Sequence, residues 1–333
     1  MKIALITPAG ARSRSGNRQT ATRWAAMLRS LGHAVRISRV WDGRTADAMI
    51  ALHARRSRAS VAAFRERHPE APLVVVLTGT DLYRDIRTDR GARASLGLAD
   101  RLVVLQDMGK TELAPQLRRK TRVIYQSAQT PSSAPKRSRR FRVAVLGHLR
   151  EEKDPFRAAL ALAHLKDLPD LELVHLGKVL SPDMEREARH RMRIDARYRW
   201  LGDVPHATAL RWLAGSRLLV LSSRMEGGAN VICEAAAAGV PVIASRIPGN
   251  VGMLGRGYPG YYPLGDERSL ARTIRRAALE PAYYRRLRRL TVARRPLFRP
   301  DAEREGLRRL LAELERPQSS RSSRSRTGAK LRR

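Results

Sequence analysis

Strand-length apolar runs occur at 2–8, 34–38, 48–52, 73–77, 101–105 and 122–125, with helical stretches between them, among them 18–31 and 57–68. Strands alternating with helices are the signature of a parallel sheet with crossover helices. Gly32 closes the first helix and Pro69 follows the second, as chain terminators do. Residues 1–130 therefore read as a Rossmann-like domain, whose ligands sit beyond the carboxyl ends of the strands.

Residues 131–140 are rich in Pro, Ser and charge and have no apolar period, which marks a linker. The same pattern then restarts. Strands are predicted at 141–146, 171–176, 198–201, 217–223 and 239–245, with helices near 155–165, 183–193 and 207–214. A Gly-containing loop is expected at 247–250. Two helical stretches, 283–295 and 302–314, then carry the chain to 315, and 316–333 reads as a disordered basic tail. Two such domains in tandem, 1–130 and 141–315, place an active site in the cleft between them.

Composition narrows the function classes. At 333 residues the chain has room for two cores. No apolar run approaches membrane-spanning length, and the apolar run after Lys2 is too short for a signal-peptide core. The single cysteine, Cys233, fits a cytoplasmic protein and reads as a small buried hydrophobe. A net charge of +35 invites a nucleic-acid reading. Against it, Arg is spread along the whole chain, aromatics are 5%, and no stacking motif of the RNA-binding folds occurs, so only nonspecific adhesion to polyanions is expected. There is no D-x-D pair, His cluster at ligand spacing or Cys pair, so no metal or cofactor is expected.

The chemistry concentrates at 226–234, E-G-G-A-N-V-I-C-E, where a buried strand ends, two glycines turn the chain, and a helix runs through Ala235–Ala238 to Gly239. The first amides of that helix, near Gly228, Ala229, Asn230 and Val231, form a seat for a phosphate, flanked by Glu226 and Glu234. Two carboxylates around an anion seat suit a nucleotide sugar, with hydroxyls at both ends and a diphosphate between. On spacing alone, an ordinary strand–turn–helix with two exposed glutamates accounts for the residues better. In the first domain the loop 10–18, with Arg12, Gly16, Asn17 and Arg18, fits either an oxyanion seat or a plain basic loop. Thr78-Gly79-Thr80-Asp81 follows the most apolar strand of that domain and fits either a ligand loop or a turn with Asp81 capping the next helix.

The run 226–250 resembles the donor-binding core of the two-domain GT-B glycosyltransferases with an E-x7-E motif. The resemblance implies that Glu226 meets donor sugar hydroxyls, Glu234 meets the nucleoside ribose, and Gly228 to Val231 hold the diphosphate. It also implies a GT-B fold whose last helix crosses back to the first domain. At 147–154, G-H-L-R-E-E-K-D, Lys153 matches the family's phosphate-clamping lysine, while His148 stands where the family commonly has arginine, with Arg150 nearby. Gly202 and Val204 lie in a turn similar to the family's base-binding turn.

Longer segments, at 7–21, 77–86, 147–155, 222–231 and 248–255, resemble the selenosugar synthases of selenoneine biosynthesis, in which His148 is the norm. That resemblance implies UDP-N-acetylglucosamine as donor and selenophosphate as acceptor. Selenophosphate is anionic and already nucleophilic, so it needs an oxyanion pocket more than a base. The expected mechanism has Lys153, Arg150 and the helix amides stabilising the departing UDP while Glu226 orients the sugar. Gly16, Asn17, Arg18, Arg12, Thr78, Gly79 and Thr80 then hold the acceptor.

Overall fold

The computed structural model describes residues 1–11, 13, 15–129 and 140–315. Arg12, residues 131–139 of the expected linker and the expected tail 316–333 lie outside the described residues. The first sheet has strands β1 (Lys2–Ile6), β2 (Ala34–Ser38), β3 (Ala48–Leu52), β4 (Leu73–Leu77), β5 (Arg101–Val104) and β6 (Thr121–Val123). The second has β7 (Phe141–Leu146), β8 (Leu171–Leu176), β9 (Tyr198–Trp200), β10 (Leu218–Leu221), β11 (Val242–Ser245) and β12 (Tyr261–Tyr262). Helices α1 (Gly16–Ser30), α2 (Arg58–Arg67), α3 (Ile86–Thr88), α4 (Arg90–Leu98) and α5 (Pro115–Arg119) accompany the first sheet. Helices α6 (Arg157–Ala161), α7 (Pro182–Ile194), α8 (His206–Ala214), α9 (Asn230–Ala238), α10 (Pro248–Leu254), α11 (Glu267–Leu279), α12 (Pro281–Ala293) and α13 (Pro300–Glu315) follow.

Every strand pairing is parallel, for example Ile3 with Val35 and Ala48, and Val143 with Leu173 and Leu218. The strand orders are β2-β1-β3-β4-β5-β6 and β12-β11-β10-β7-β8-β9. Parallel sheets are covered on both faces, and β4 shows the consequence. Its Leu73, Val75 and Leu77 enter one core cluster and its Val74 and Val76 the other. Strand order reverses between β1 and β3 and between β7 and β10, and the loops leaving those strands border the crevice where such folds bind ligands.

Three elements depart from the sequence pattern. Residues expected as a loop at 247–250 open helix α10, with Pro248 in its first turn, where a fixed φ and a missing N–H cost nothing. Its glycines serve close packing: a side chain at Gly249 would meet the Glu226 carbonyl oxygen, and one at Gly252 would meet Gln106 Oε1 of the first domain. Helix α11 precedes the two C-terminal helices that were expected. Asp266 caps it, its Oδ1 accepting from Ser269 N at 2.8 Å, and Leu270, Ala271, Ile274 and Ala277 form its buried stripe. Strand β12 pairs with β11 only through Tyr261 and Tyr262, too short a run to stand out.

The last helix does return to the first domain. Leu307, Leu310 and Leu311 of α13 share a core cluster with Ile3, Leu5, Trp24 and Leu28. Glu303, 1% exposed, fixes the crossing. Its carboxylate accepts from Arg23 Nε (2.7 Å), Trp24 Nε1 (2.7 Å), Ser127 N (2.9 Å) and Ser127 Oγ (2.5 Å). Removing one member of a buried ion pair leaves the other charge uncompensated and costs about 3–5 kcal/mol. Glu303→Ala is therefore expected to lower the unfolding free energy of the first domain by an amount of that order, seen as a fall in the urea midpoint. An unchanged midpoint would show that the carboxylate does not secure α13.

Candidate active site

The loops after β7 and β10 flank the switch point of the second sheet, and they bring Lys153 and Glu226 together. Lys153 ends a short 3-10 turn, Glu151–Lys153, and its Nζ donates to Glu226 Oε1. Glu226 is 7% exposed and also accepts from Ser223 Oγ at 2.5 Å. Ser223 is held in turn by Ser245 of β11, whose Oγ donates to the Ser223 carbonyl at 2.6 Å. The carboxylate is thus fixed from three strands' ends. Arg150 is exposed, and its carbonyl accepts from Lys153 N at 3.0 Å.

Helix α9 begins beside this pair. Its N-cap residue, Ala229, has no capping side chain, and its first turn has no acid. Helix α1 also starts without a side-chain cap or an acid. Side chains cap only α4, α7 and α11 among the described α-helices, through Asp89, Ser181 and Asp266, so what sets α1 and α9 apart is their placement. The starts of α1 and α9 face each other across the cleft: a methyl on Gly16 would lie 3.7 Å from Asn230 Nδ2. Asn230 Oδ1 is enclosed and has no partner among the described residues. Arg18 lies in the first turn of α1 and is half-buried. Uncapped helix starts present orphan amides and the positive end of the dipole, a setting for anions.

At the far end of α9's motif, Glu234 accepts from His206 Nε2 at 2.8 Å. His206 opens α8, and its bond to Glu234 raises its pKa above the ordinary histidine value. The sequence reading missed His206, because only the fold brings the start of α8 to α9. His148 behaves oppositely: burial first, then the nearby Arg150, lower its pKa, and its Nδ1 accepts from Lys178 N at 3.1 Å. It is a neutral loop fastener where the family commonly has a cation. Gly202 adopts a left-handed φ of 74° and its carbonyl accepts from Gly177 N at 2.9 Å, shaping the turn that carries Val204.

The glycines of the E-G-G turn meet protein. A side chain on Gly227 would strike the Thr78 carbonyl oxygen, and one on Gly228 would lie 2.5 Å from Leu105 Cβ. The turn is therefore part of the seam between domains, with its glycines packed against Thr78 and Leu105. Across the seam, Asp81 is wholly buried, and it does not cap the next helical turn as expected: Thr80 takes the N-cap position there, and the Asp81 carboxylate turns back to the strand ends. Its Oδ1 accepts from Thr78 N (2.9 Å) and Gly79 N (2.8 Å), and its Oδ2 from Ala54 N (3.0 Å). The amides of Thr78 and Gly79, expected as donors to an acceptor, are thus already engaged. Thr80 keeps its hydroxyl half-buried, with His53 Nε2 at 3.1 Å. Cys233 is fully buried and donates to the Gln126 carbonyl at 3.2 Å, and burial pushes its thiol pKa well up, as befits a packing residue.

Residues 127–291 match the family described as Glycosyl transferases group 1. Among solved structures, the chain is similar to Anabaena Alr3699/HepE in complex with UDP and glucose, at 16% identity and TM-score 0.74, covering 94% of this chain and 100% of that one. It is similar to sucrose-phosphate synthase from Thermosynechococcus elongatus at 17% identity and TM-score 0.74, covering 94% and 98%. The pneumococcal O-GlcNAc transferase GtfA in complex with UDP and GlcNAc superposes with TM-score 0.65 at 18% identity, over 90% of this chain and 60% of that one. No described helix is long and apolar enough to cross a membrane. Residues 127–291 of this chain thus match the model of the Glycosyl transferases group 1 family, within a two-domain fold of GT-B type.

Proposed function

We propose that this chain transfers N-acetylglucosamine from UDP-N-acetylglucosamine to selenophosphate, joining selenium to the anomeric carbon. The observation that carries the proposal is the Lys153–Glu226 pair set between two uncapped helix starts, one from each domain. The α9 start with Lys153 suits a diphosphate, and the α1 start with Arg18 suits a second, compact anion. The family match and the UDP complexes of similar folds support the nucleotide-sugar half. The long segments at 7–21 and 77–86 support the selenophosphate half.

In the step itself, selenium attacks the anomeric carbon as the bond from that carbon to the UDP oxygen breaks, and the electron pair leaves with UDP. Lys153 has three N–H donors, so it can hold Glu226 and a phosphate oxygen together. It thereby couples the growing charge on the leaving group to the carboxylate that orients the sugar. Arg150 and the amides of Asn230 and Val231 add to that stabilisation, and no divalent ion is needed. Contact between the domains keeps water, the competing nucleophile, from the anomeric carbon. Gly202 and Val204 border the base, and Glu234 meets the ribose.

Incubation with UDP-N-acetylglucosamine and selenophosphate in EDTA is expected to give a selenium-containing sugar by mass spectrometry. Lys153→Ala is expected to lower kcat by about 10²–10³-fold, the range for losing one transition-state donor. Transfer to a glycan hydroxyl with no selenium product would overturn the acceptor assignment, and activity restored only by a divalent ion would overturn the metal-free step.

A second outcome concerns pH. In the ligand-free protein Glu234 holds His206 in its charged form, above its ordinary pKa. Ribose hydroxyls taking Glu234 would lower that pKa and release a proton. UDP affinity is therefore expected to rise with pH until it passes the raised pKa, then level off. His206→Ala should lack that component when both proteins are compared by calorimetry. Identical pH profiles would remove Glu234 from the ribose.

A further inference from the structure

His53 was not singled out by any motif, yet its backbone is unusual. It has a φ of 73°, and among the described residues only Asp154 shares a positive φ with a side chain. Asp154 directly follows Lys153, so both strained positions lie in loops that leave strands at a switch point. Strain of this kind persists only where the surroundings over-determine it, and it clusters at functional sites. His53 leaves β3 beside the reversal of the first sheet.

The surroundings of the ring fix its proton. It is 3% exposed. Arg56 N donates to Nδ1 at 3.3 Å, so Nδ1 carries the lone pair. A neutral ring then bears its hydrogen on Nε2, which donates to Thr80 Oγ1 at 3.1 Å. Asp81 and Asp85 approach the ring at 4.0 and 3.9 Å, but burial outweighs them and lowers its pKa, with Arg56 and Arg55 acting in the same sense. Because Thr80 Oγ1 accepts from His53, its own hydrogen is left to donate elsewhere. Thr80 uses that hydroxyl for no helix cap.

Asp81 makes the arrangement rigid. Its carboxylate joins the loop after β3, at Ala54 N, to the loop after β4, at Thr78 N and Gly79 N. Gly79 in turn abuts the second domain: a Cβ there would lie 3.4 Å from Gly227 N, next to Glu226. Thr80 therefore stands at the domain seam, on the wall opposite the carboxylate that orients the sugar. We propose that His53 is a positioning residue, whose ring sets the Thr80 hydroxyl as a hydrogen-bond donor to the anionic acceptor. The inference deepens the acceptor half of the proposed function and rests on it.

Calorimetry of inorganic thiophosphate with the UDP-saturated protein tests the inference. Asn tolerates a left-handed backbone, so His53→Asn keeps the turn and withdraws the ring. Thr80→Val removes the hydroxyl at constant shape and leaves the His53 side chain itself in place, and Thr80→Ser keeps the hydroxyl. His53→Asn and Thr80→Val are each expected to weaken thiophosphate binding about tenfold, the loss of one hydrogen bond to a charged group. The double variant should bind no more weakly than the weaker single, while Thr80→Ser binds like the wild type and UDP affinity is unchanged throughout. Unaltered thiophosphate affinity in His53→Asn would overturn the inference. So would additive losses in the double variant, or a fall in UDP affinity that parallels the loss for thiophosphate. Failure of the wild type to bind thiophosphate would instead overturn the compact-anion reading itself, and the role of His53 with it.

Discussion

A carboxylate at 7% exposure is stable as an anion only when paired, and Glu226 takes its partners from two different strand ends. Lys153 must reach it from the loop after β7 and Ser223 from the end of β10, which are neighbours only because the sheet's order reverses there. The crevice that results is set by topology, and the ammonium and carboxylate are set within it by mutual need. Loss of either partner would leave a buried charge at a cost of about 3–5 kcal/mol, comparable to a large share of a domain's stability. The same pair that secures the loop also presents one cation and one anion to whatever enters.

The two domains touch through backbone at this point. Gly227 and Gly252 admit the Thr78 carbonyl and the Gln106 side chain so closely that any larger residue would force the walls apart. Farther out, Arg84 Nη1 lies 3.9 Å from Glu152 Oε1 across the cleft, an exposed pair of small energetic weight. The secure connection is elsewhere, where Glu303 ties the returning α13 to Arg23, Trp24 and Ser127. Strong attachment at the back and close but weakly bonded contact at the front is the mechanical layout of a cleft that can open and close on its ligands.

Much of this was legible in the sequence. Strands β3, β4, β7 and β8 stand where their apolar runs placed them, because a strand buried on both faces writes its bounds in hydrophobicity. The E-x7-E segment is a strand end, a turn and a helix, as its residues required. The α10 sequence reads as a loop because Pro and Gly usually break helices. Here proline takes the first turn and the glycines answer to packing from another domain, which no local pattern records. Helix α11 carried its signal, a capping Asp266 ahead of an apolar stripe. The partners of functional groups were the least legible. Asp81 consuming the Thr78 and Gly79 amides, His206 reaching Glu234 and His53 reaching Thr80 all join residues far apart in sequence, or depend on a backbone turn that composition does not announce.

The central claim is that the cleft holds a nucleotide diphosphate at the start of α9, with Lys153 bridging it to Glu226. A crystal structure of the full chain with UDP tests that directly. The account predicts phosphate oxygens on the amides of Asn230 and Val231 and on Lys153 Nζ, with the ribose hydroxyls at Glu234. A nucleotide bound outside the cleft, or bound within it while Lys153 makes no phosphate contact, would contradict it.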